Sequence, residues 1–247
     1  MSKLLISHGR LPGYVGRVLD EAFFAPRIAE SRRLRLDDPM HGARTRYPEE
    51  MEPLPPDTRL VSGLLPFGYF DGLHERIVHV CVMSDPEVAF LRFAAQLREM
   101  PAGTALRMTG APREALPFDD PDAMVARLLA SPSVRRLRLG ALTRLCAGLP
   151  AIGDGPADET QLRAAEANLA RVNFLCGVEP RLDSFLDYLC GIFGWSPPRP
   201  GLLDAVPAPL VEPEALGPAA RAALREATDV DRRLYERRCD SRVAQVA

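Results

Sequence analysis

The chain alternates between short apolar runs and longer stretches in which apolar residues recur at helical spacing. Lys3 to Ser7 is a compact apolar run suited to a buried strand. It leads into the turn His8-Gly9-Arg10-Leu11-Pro12-Gly13, after which Val15, Val18, Leu19, Ala22 and Phe23 fall on one helical face. A strand, a glycine-bearing turn and a helix in that order present backbone N–H groups to a phosphate. Arg32 to Leu36 and Arg59 to Gly63 read as further strands, separated by a Pro-, Gly- and charge-rich loop from Asp37 to Asp57. Arg76 to Met83 is nearly all apolar, the character of a strand at the centre of a parallel sheet. Ser84-Asp85-Pro86 then opens a helix to about Met100, with Asp85 or Ser84 as cap and Pro86 in the first turn.

Beyond this second strand–turn–helix unit the pattern is mostly helical. Helices are expected over Pro121 to Ala130, Ser133 to Ala147 and Asp158 to Ala170, then a last strand at Val172 to Cys176. An amphipathic helix from Arg181 to Phe193 ends at Gly194, a suitable C-cap. After the break Ser196-Pro197-Pro198-Arg199-Pro200, two helices, Pro213 to Glu226 and Asp229 to Val243, close the chain. The expected fold is α/β: a P-loop-like central parallel sheet flanked by helices, with a helical C-terminal part, in one domain spanning residues 1–247.

Composition narrows the function classes. The 247 residues are 47% hydrophobic and 26% charged, which are globular values. A net charge of -2 argues against sequence-independent nucleic-acid binding, which needs a basic excess. Arg135, Arg136 and Arg138 read as a solvated helix face. No apolar run reaches the roughly 18 residues of a membrane span, and the N-terminus lacks a signal-peptide core, so a cytoplasmic protein is expected. The five cysteines form no CxxC and no zinc spacing, so they are expected to be reduced thiols.

Three segments carry a resemblance to a known family. They are RLVSGLLPFGYFDGLHERIVHVCVMSDPEVAFLRFA, LRAAEANLARVNFLCGVEPRLDSFLDYLCGIFGW and TDVDRRLYERR. In order and spacing they resemble the carbohydrate-type sulfotransferases, which move a sulfuryl group from 3′-phosphoadenosine 5′-phosphosulfate (PAPS) to a hydroxyl. The resemblance implies PAPS as co-substrate and a sugar or small-molecule acceptor. In-line transfer needs donors around the 5′-phosphosulfate, a cradle for the 3′-phosphate and a base for the acceptor.

Several positions depart from the family pattern. Arg10 stands where the family has the lysine that stabilises the leaving group, Gly13 is kept, and Tyr14 and Val15 replace a hydroxyl-bearing pair. The alternative for this segment is an ordinary turn with Arg10 in solvent. In the 3′-phosphate motif, Ser84 takes the family arginine's place and Arg92 the serine's, so both donor types are present but exchanged. Arg92 would have to reach back along its helix to share an anion with Ser84. Otherwise Ser84 is a cap and Arg92 a surface residue. Thr143 and Arg144 match a family helix near the nucleotide, although Arg144 could equally be an exposed helix charge. Leu64 stands at the family's base and cannot accept a proton. His8, His74 and His79 are the nearby histidines, with His8, in the turn, preferred as base and His79 read as a buried, satisfied strand residue. Glu75, Asp37 and Asp38 are further acidic candidates. Three readings follow: a divergent sulfotransferase, a catalytically inactive binding module on the same fold, and a scaffold repurposed for another reaction in specialised metabolism.

Overall fold

A computed structural model of the chain describes residues 4–36, 54–55, 57–71, 76–198 and 201–240. At its centre is a five-stranded sheet of β1 (Leu5–Gly9), β2 (Arg33–Leu36), β3 (Leu60–Gly63), β4 (Ile77–Met83) and β5 (Phe174–Val178). The spatial order is β2-β3-β1-β4-β5, and every pairing is parallel. The α/β class expected from the pattern is the observed one. The two apolar runs are neighbours in the sheet, with Leu5 opposite Ile77 and Gly9 opposite Cys81.

Both faces of the sheet are covered, which is why β4 has almost no polar positions. Successive strand residues point to opposite faces. Val80, Val82 and Leu175 pack with the helical segment after β1 and with α8 (Leu182–Phe193). Cys81, Met83, Phe174 and Cys176 pack with α6 (Ala141–Cys146), α7 (Glu159–Leu169) and α10 (Asp229–Asp240). A separate apolar cluster joins α2 (Pro86–Gln96), α3 (Ala102–Thr109), α4 (Pro121–Ala130), α5 (Pro132–Arg138) and α9 (Pro218–Ala227). The helical layer is therefore largely an insertion between β4 and β5.

Several element boundaries differ from the sequence pattern. β1 runs through His8 and Gly9, so His8 is a strand residue and not a turn residue. The single helix expected over 133–147 is two, because Gly140 takes a left-handed φ of 73° and a Cβ there would lie 2.2 Å from the Ala157 backbone nitrogen. Helix α3 had no expectation attached to it. β5 begins two residues later than expected and leaves Val172 exposed. Helix α8 ends as expected on left-handed Gly194. Most of the loop from Asp37 to Asp57, with Asp37 and Asp38, lies outside the described residues, as do His74 and Glu75. Cys81, Cys146, Cys176 and Cys190 are buried free thiols, and Cys239 is a partly exposed one. Among the described residues no helix is long and apolar enough to cross a membrane.

Candidate functional site: the crevice between β1 and β4

The sheet order has one switch point, between β1 and β4. From β1 the chain leaves toward the β2 edge, and from β4 it leaves toward the β5 edge. In open α/β sheets ligands bind at such a point, at the carboxyl ends of the two diverging strands, which makes this the candidate crevice. The segments there are Arg10 to Val15 after β1 and Ser84 to Pro86 after β4.

The first segment turns on two successive left-handed residues, Gly13 at φ 121° and Tyr14 at φ 70°. Helix α1 (Val15–Val18) starts directly after them and widens into a π-helical stretch at Leu19–Phe24. No side chain caps this start. In α2, by contrast, the Asp85 carboxylate accepts from the Glu87 and Val88 backbone N–H groups at 2.8 and 3.1 Å. The two segments touch. A Cβ on Gly13 would lie 2.3 Å from the Ser84 Oγ, so only glycine fits both this φ and this approach. The Ser84 hydroxyl is buried and has no hydrogen-bond partner.

Arg92 does reach back to this point. Its Nη1 donates to the Gly13 carbonyl at 3.2 Å, but the guanidinium is held by the Glu179 carboxylate, at 2.8 Å from Nη1 and 2.6 Å from Nη2. The fork-to-fork geometry is that of a strong, specific pair. Arg92 is thus a buried residue that ties α2 to the turn and to the end of β5, and its charge is already answered by a carboxylate.

Under the turn lies a second polar group. His8 is fully buried, and its Nδ1 meets the Asp20 Oδ1 at 2.6 Å. Arg10 Nε donates to the other Asp20 oxygen, and Arg10 Nη2 is 3.4 Å from the Ser62 Oγ. Burial alone would push the Asp20 carboxyl up, yet the His8 ring and the Arg10 guanidinium together hold it below the ordinary carboxylate value. An ionised Asp20 accepts from His8 Nδ1–H, and the other ring nitrogen, Nε2, faces away from the carboxylate. That nitrogen is buried and unpartnered, and the Phe24 ring stands 4.8 Å away. His8 therefore has the orientation of a base but no open path to an acceptor. His79 is buried as expected, with Nε2 3.0 Å from the Asp71 Oδ1.

Arg144 stands apart from both groups. Its guanidinium donates to the Leu139, Ala151 and Gly155 carbonyls at 2.7–3.0 Å and pins the chain after α6 to the Gly140 break. It is a buried cation committed to the backbone, neither an exposed helix charge nor a donor at the crevice. The neighbouring Thr143 donates through both N and Oγ1 to Asp231 of α10, at 2.8 and 2.6 Å.

The structure thus brings Gly13, Ser84 and Arg92 together, joins His8 to Arg10 through Asp20, and leaves Arg144 elsewhere. Asp20, Glu179 and Arg138 were not singled out from the sequence. Glu179 directly follows β5, and an acidic residue at the carboxyl end of a strand was the available signal. Arg138 corrects the reading of its run: Arg135 and Arg136 are exposed, but Arg138 turns inward and stacks over Phe93, 4.1 Å from the ring centroid. No protein-family model and no curated protein matches the sequence.

Proposed function

We propose that this chain is a divergent sulfotransferase-fold protein that binds PAPS at the β1–β4 crevice and passes its sulfuryl group slowly to a hydroxyl of a sugar or other small molecule. One observation carries the reading. The helix after β1 opens on two left-handed residues without a side-chain cap, directly beside the start of α2 and at the point where the sheet connections diverge. A phosphate group is the natural occupant of such a start, because it accepts from the N–H groups that a capping side chain would otherwise satisfy.

The roles then follow from position. The backbone from Gly13 to Val15 holds the 5′ group. Arg10 supplies positive charge next to it from its seat on Asp20. Leu64, at the position of the family base, packs against the apolar cluster on the α6 and α7 face and offers no proton acceptor. A positioned base contributes about 10²–10⁴-fold in such reactions, so turnover is slow.

A second reading has its own support. Both arginines at the crevice are paired with carboxylates, Arg10 with Asp20 and Arg92 with Glu179. Internally neutralised cations suit a nucleotide-binding module that no longer transfers a group. Thermal shift with PAPS and with its product 3′-phosphoadenosine 5′-phosphate (PAP) tests the shared claim of both readings. PAP release with a panel of sugar and phenol acceptors separates them. Leu64→His is expected to raise PAPS-dependent turnover by up to about 10²-fold if the enzyme reading holds. PAP binding without turnover in either form selects the module.

A further inference from the structure

β4 and β5 form one outer pair of the sheet, and each carries a cysteine at the same level. Cys81 stands directly opposite Cys176 in the parallel register. Both side chains lie on the face covered by α6, α7 and α10, and they are only 2% and 3% exposed. Cys146, on α6, belongs to the same apolar cluster. The two strand thiols interact as a hydrogen-bonded pair in which Cys81 keeps the proton. Burial works against a Cys176 thiolate, but the Cys81 thiol and the Arg238 guanidinium outweigh it and hold Cys176 below the ordinary thiol value. Arg238 is anchored there by its own bonds, with Nε and Nη2 donating to the Cys176 carbonyl at 3.0 and 2.6 Å. In its neutral form Cys176 has the Gly177 carbonyl as a weak acceptor, at 3.5 Å. Burial pushes the Cys81 thiol well up.

A single buried cysteine behaves as a small apolar side chain. Two thiols side by side, one of them biased toward thiolate by a neighbouring arginine, are the reactants of a disulfide. The backbone spacing suits a bridge. Neighbouring strands lie about 4.8 Å apart, inside the roughly 4.4–6.8 Å that a disulfide spans between Cα atoms. We propose that Cys81 and Cys176 are a reversible oxidation site, closed to a cross-strand disulfide by a peroxide. The Cys176 thiolate attacks one peroxide oxygen, the O–O bond breaks, and hydroxide leaves. The Cys81 sulfur then attacks the sulfenic acid so formed, the S–S bond closes, and the Cys81 proton departs with the hydroxyl as water. Two thiols and one hydrogen peroxide become one disulfide and two waters. β5 is an edge strand, so its local opening gives the oxidant entry. Opposed Cβ atoms of parallel neighbours stay near the strand spacing, whereas a disulfide draws them to about 3.5–4.5 Å. The bridge is therefore strained and readily reduced, which suits a switch and not a permanent staple. It forms just before Ser84 and Glu179 in the chain, so oxidation pinches the two strands that lead to the Arg92–Glu179 pair.

The test treats the folded, reduced protein with hydrogen peroxide and maps its thiols by mass spectrometry. Two of the five thiols should be lost, with the chain lighter by two hydrogen atoms. A non-reducing digest should give one cross-linked peptide joining Cys81 to Cys176, and reduced glutathione should restore all five thiols. Cys146→Ser and Cys239→Ser should each keep this oxidation, whereas Cys81→Ala and Cys176→Ala should each abolish it. The wild-type digest needs no variant, so the test stands even where a core substitution prevents folding. Survival of all five thiols at peroxide concentrations that oxidise free cysteine would overturn the proposal. So would a cross-link through Cys146, a covalent dimer through Cys239, or a bridge that forms only in urea. A bridge that glutathione cannot open would overturn the reversible switch. None of these outcomes depends on a nucleotide, so they leave the reading of the crevice to its own test.

Discussion

The two strand–turn–helix units beside the crevice are built on one plan and finished differently. After β4, Asp85 caps α2 with its own carboxylate and Pro86 fills the first turn, so the helix start is satisfied from within. After β1, the chain turns through left-handed Gly13 and Tyr14, and no side chain closes the start of α1. The β4 unit satisfies its own helix start, whereas the β1 unit leaves a start that a ligand could complete. Arg92 bridges the two, reaching from α2 to the Gly13 carbonyl while Glu179 holds its charge. The difference separates a structural helix start from a candidate binding one within a single sheet edge.

The largest effect should come from removing the left-handed turn. Gly13→Ala has to place a Cβ against the Ser84 side chain and pay for a positive φ, at a cost of about 2–4 kcal/mol. Urea unfolding would measure it. Gly155→Ala, where a Cβ meets nothing within 4 Å, is the control expected to stay near wild type. Nucleotide-induced stabilisation should vanish in the first and persist in the second.

Next comes the bridge. Glu179→Gln leaves Arg92 without its counter-charge in a site where the two side chains are 10% and 17% exposed. Partial solvent screening limits the loss to about 1–3 kcal/mol. If the crevice takes an anion, the same change should tighten PAP binding, because the ligand then supplies the missing charge. Tighter binding in a less stable protein would sharpen the contrast between the units, and weaker binding would blur it.

The capped unit should respond more simply. Asp85→Ala should cost about 1 kcal/mol, the usual worth of an N-cap, with no change in nucleotide affinity. A fall in PAP affinity comparable to that of Gly13→Ala would mean that the α2 start is also part of the ligand site.

How far these features were legible in the sequence depended on their range. Apolar runs and turn residues placed β1, β4 and their order of use, because strand character and the Ser84-Asp85-Pro86 start are local. Gly13 was visible as a turn glycine, but nothing in the sequence says that Ser84 presses against it. Arg92 could be expected near the turn from helix reach, yet its capture by Glu179 joins residues 87 positions apart. Arg138 was hidden for a related reason. Three arginines within four residues look alike in composition, and only the tertiary contact with Phe93 distinguishes one of them. His8 was misplaced by two residues of strand length, which moved it from an open turn into the core.

The smallest effect concerns pH under the uncapped unit. The Asp20 carboxyl is held below its ordinary value of 3.8 in the fold. A depressed carboxyl contributes stability that is present above the unfolded value and lost as pH falls through the folded one. Stability measured in urea should therefore decline on the acid side of 3.8, with a shallower decline in Asp20→Asn. An identical acid limb in the two proteins would detach the His8–Asp20–Arg10 group from the stability of the turn.

The most direct measurement of the whole account is a calorimetric titration of the wild-type protein with PAP, with adenosine 5′-monophosphate as comparison. A crevice that takes a phosphate at the α1 start should give single-site binding of PAP, with weaker binding of the monophosphate. No heat with either nucleotide, from protein shown to be folded by circular dichroism and matched by no thermal shift, would contradict the assignment of the β1–β4 crevice as a nucleotide site.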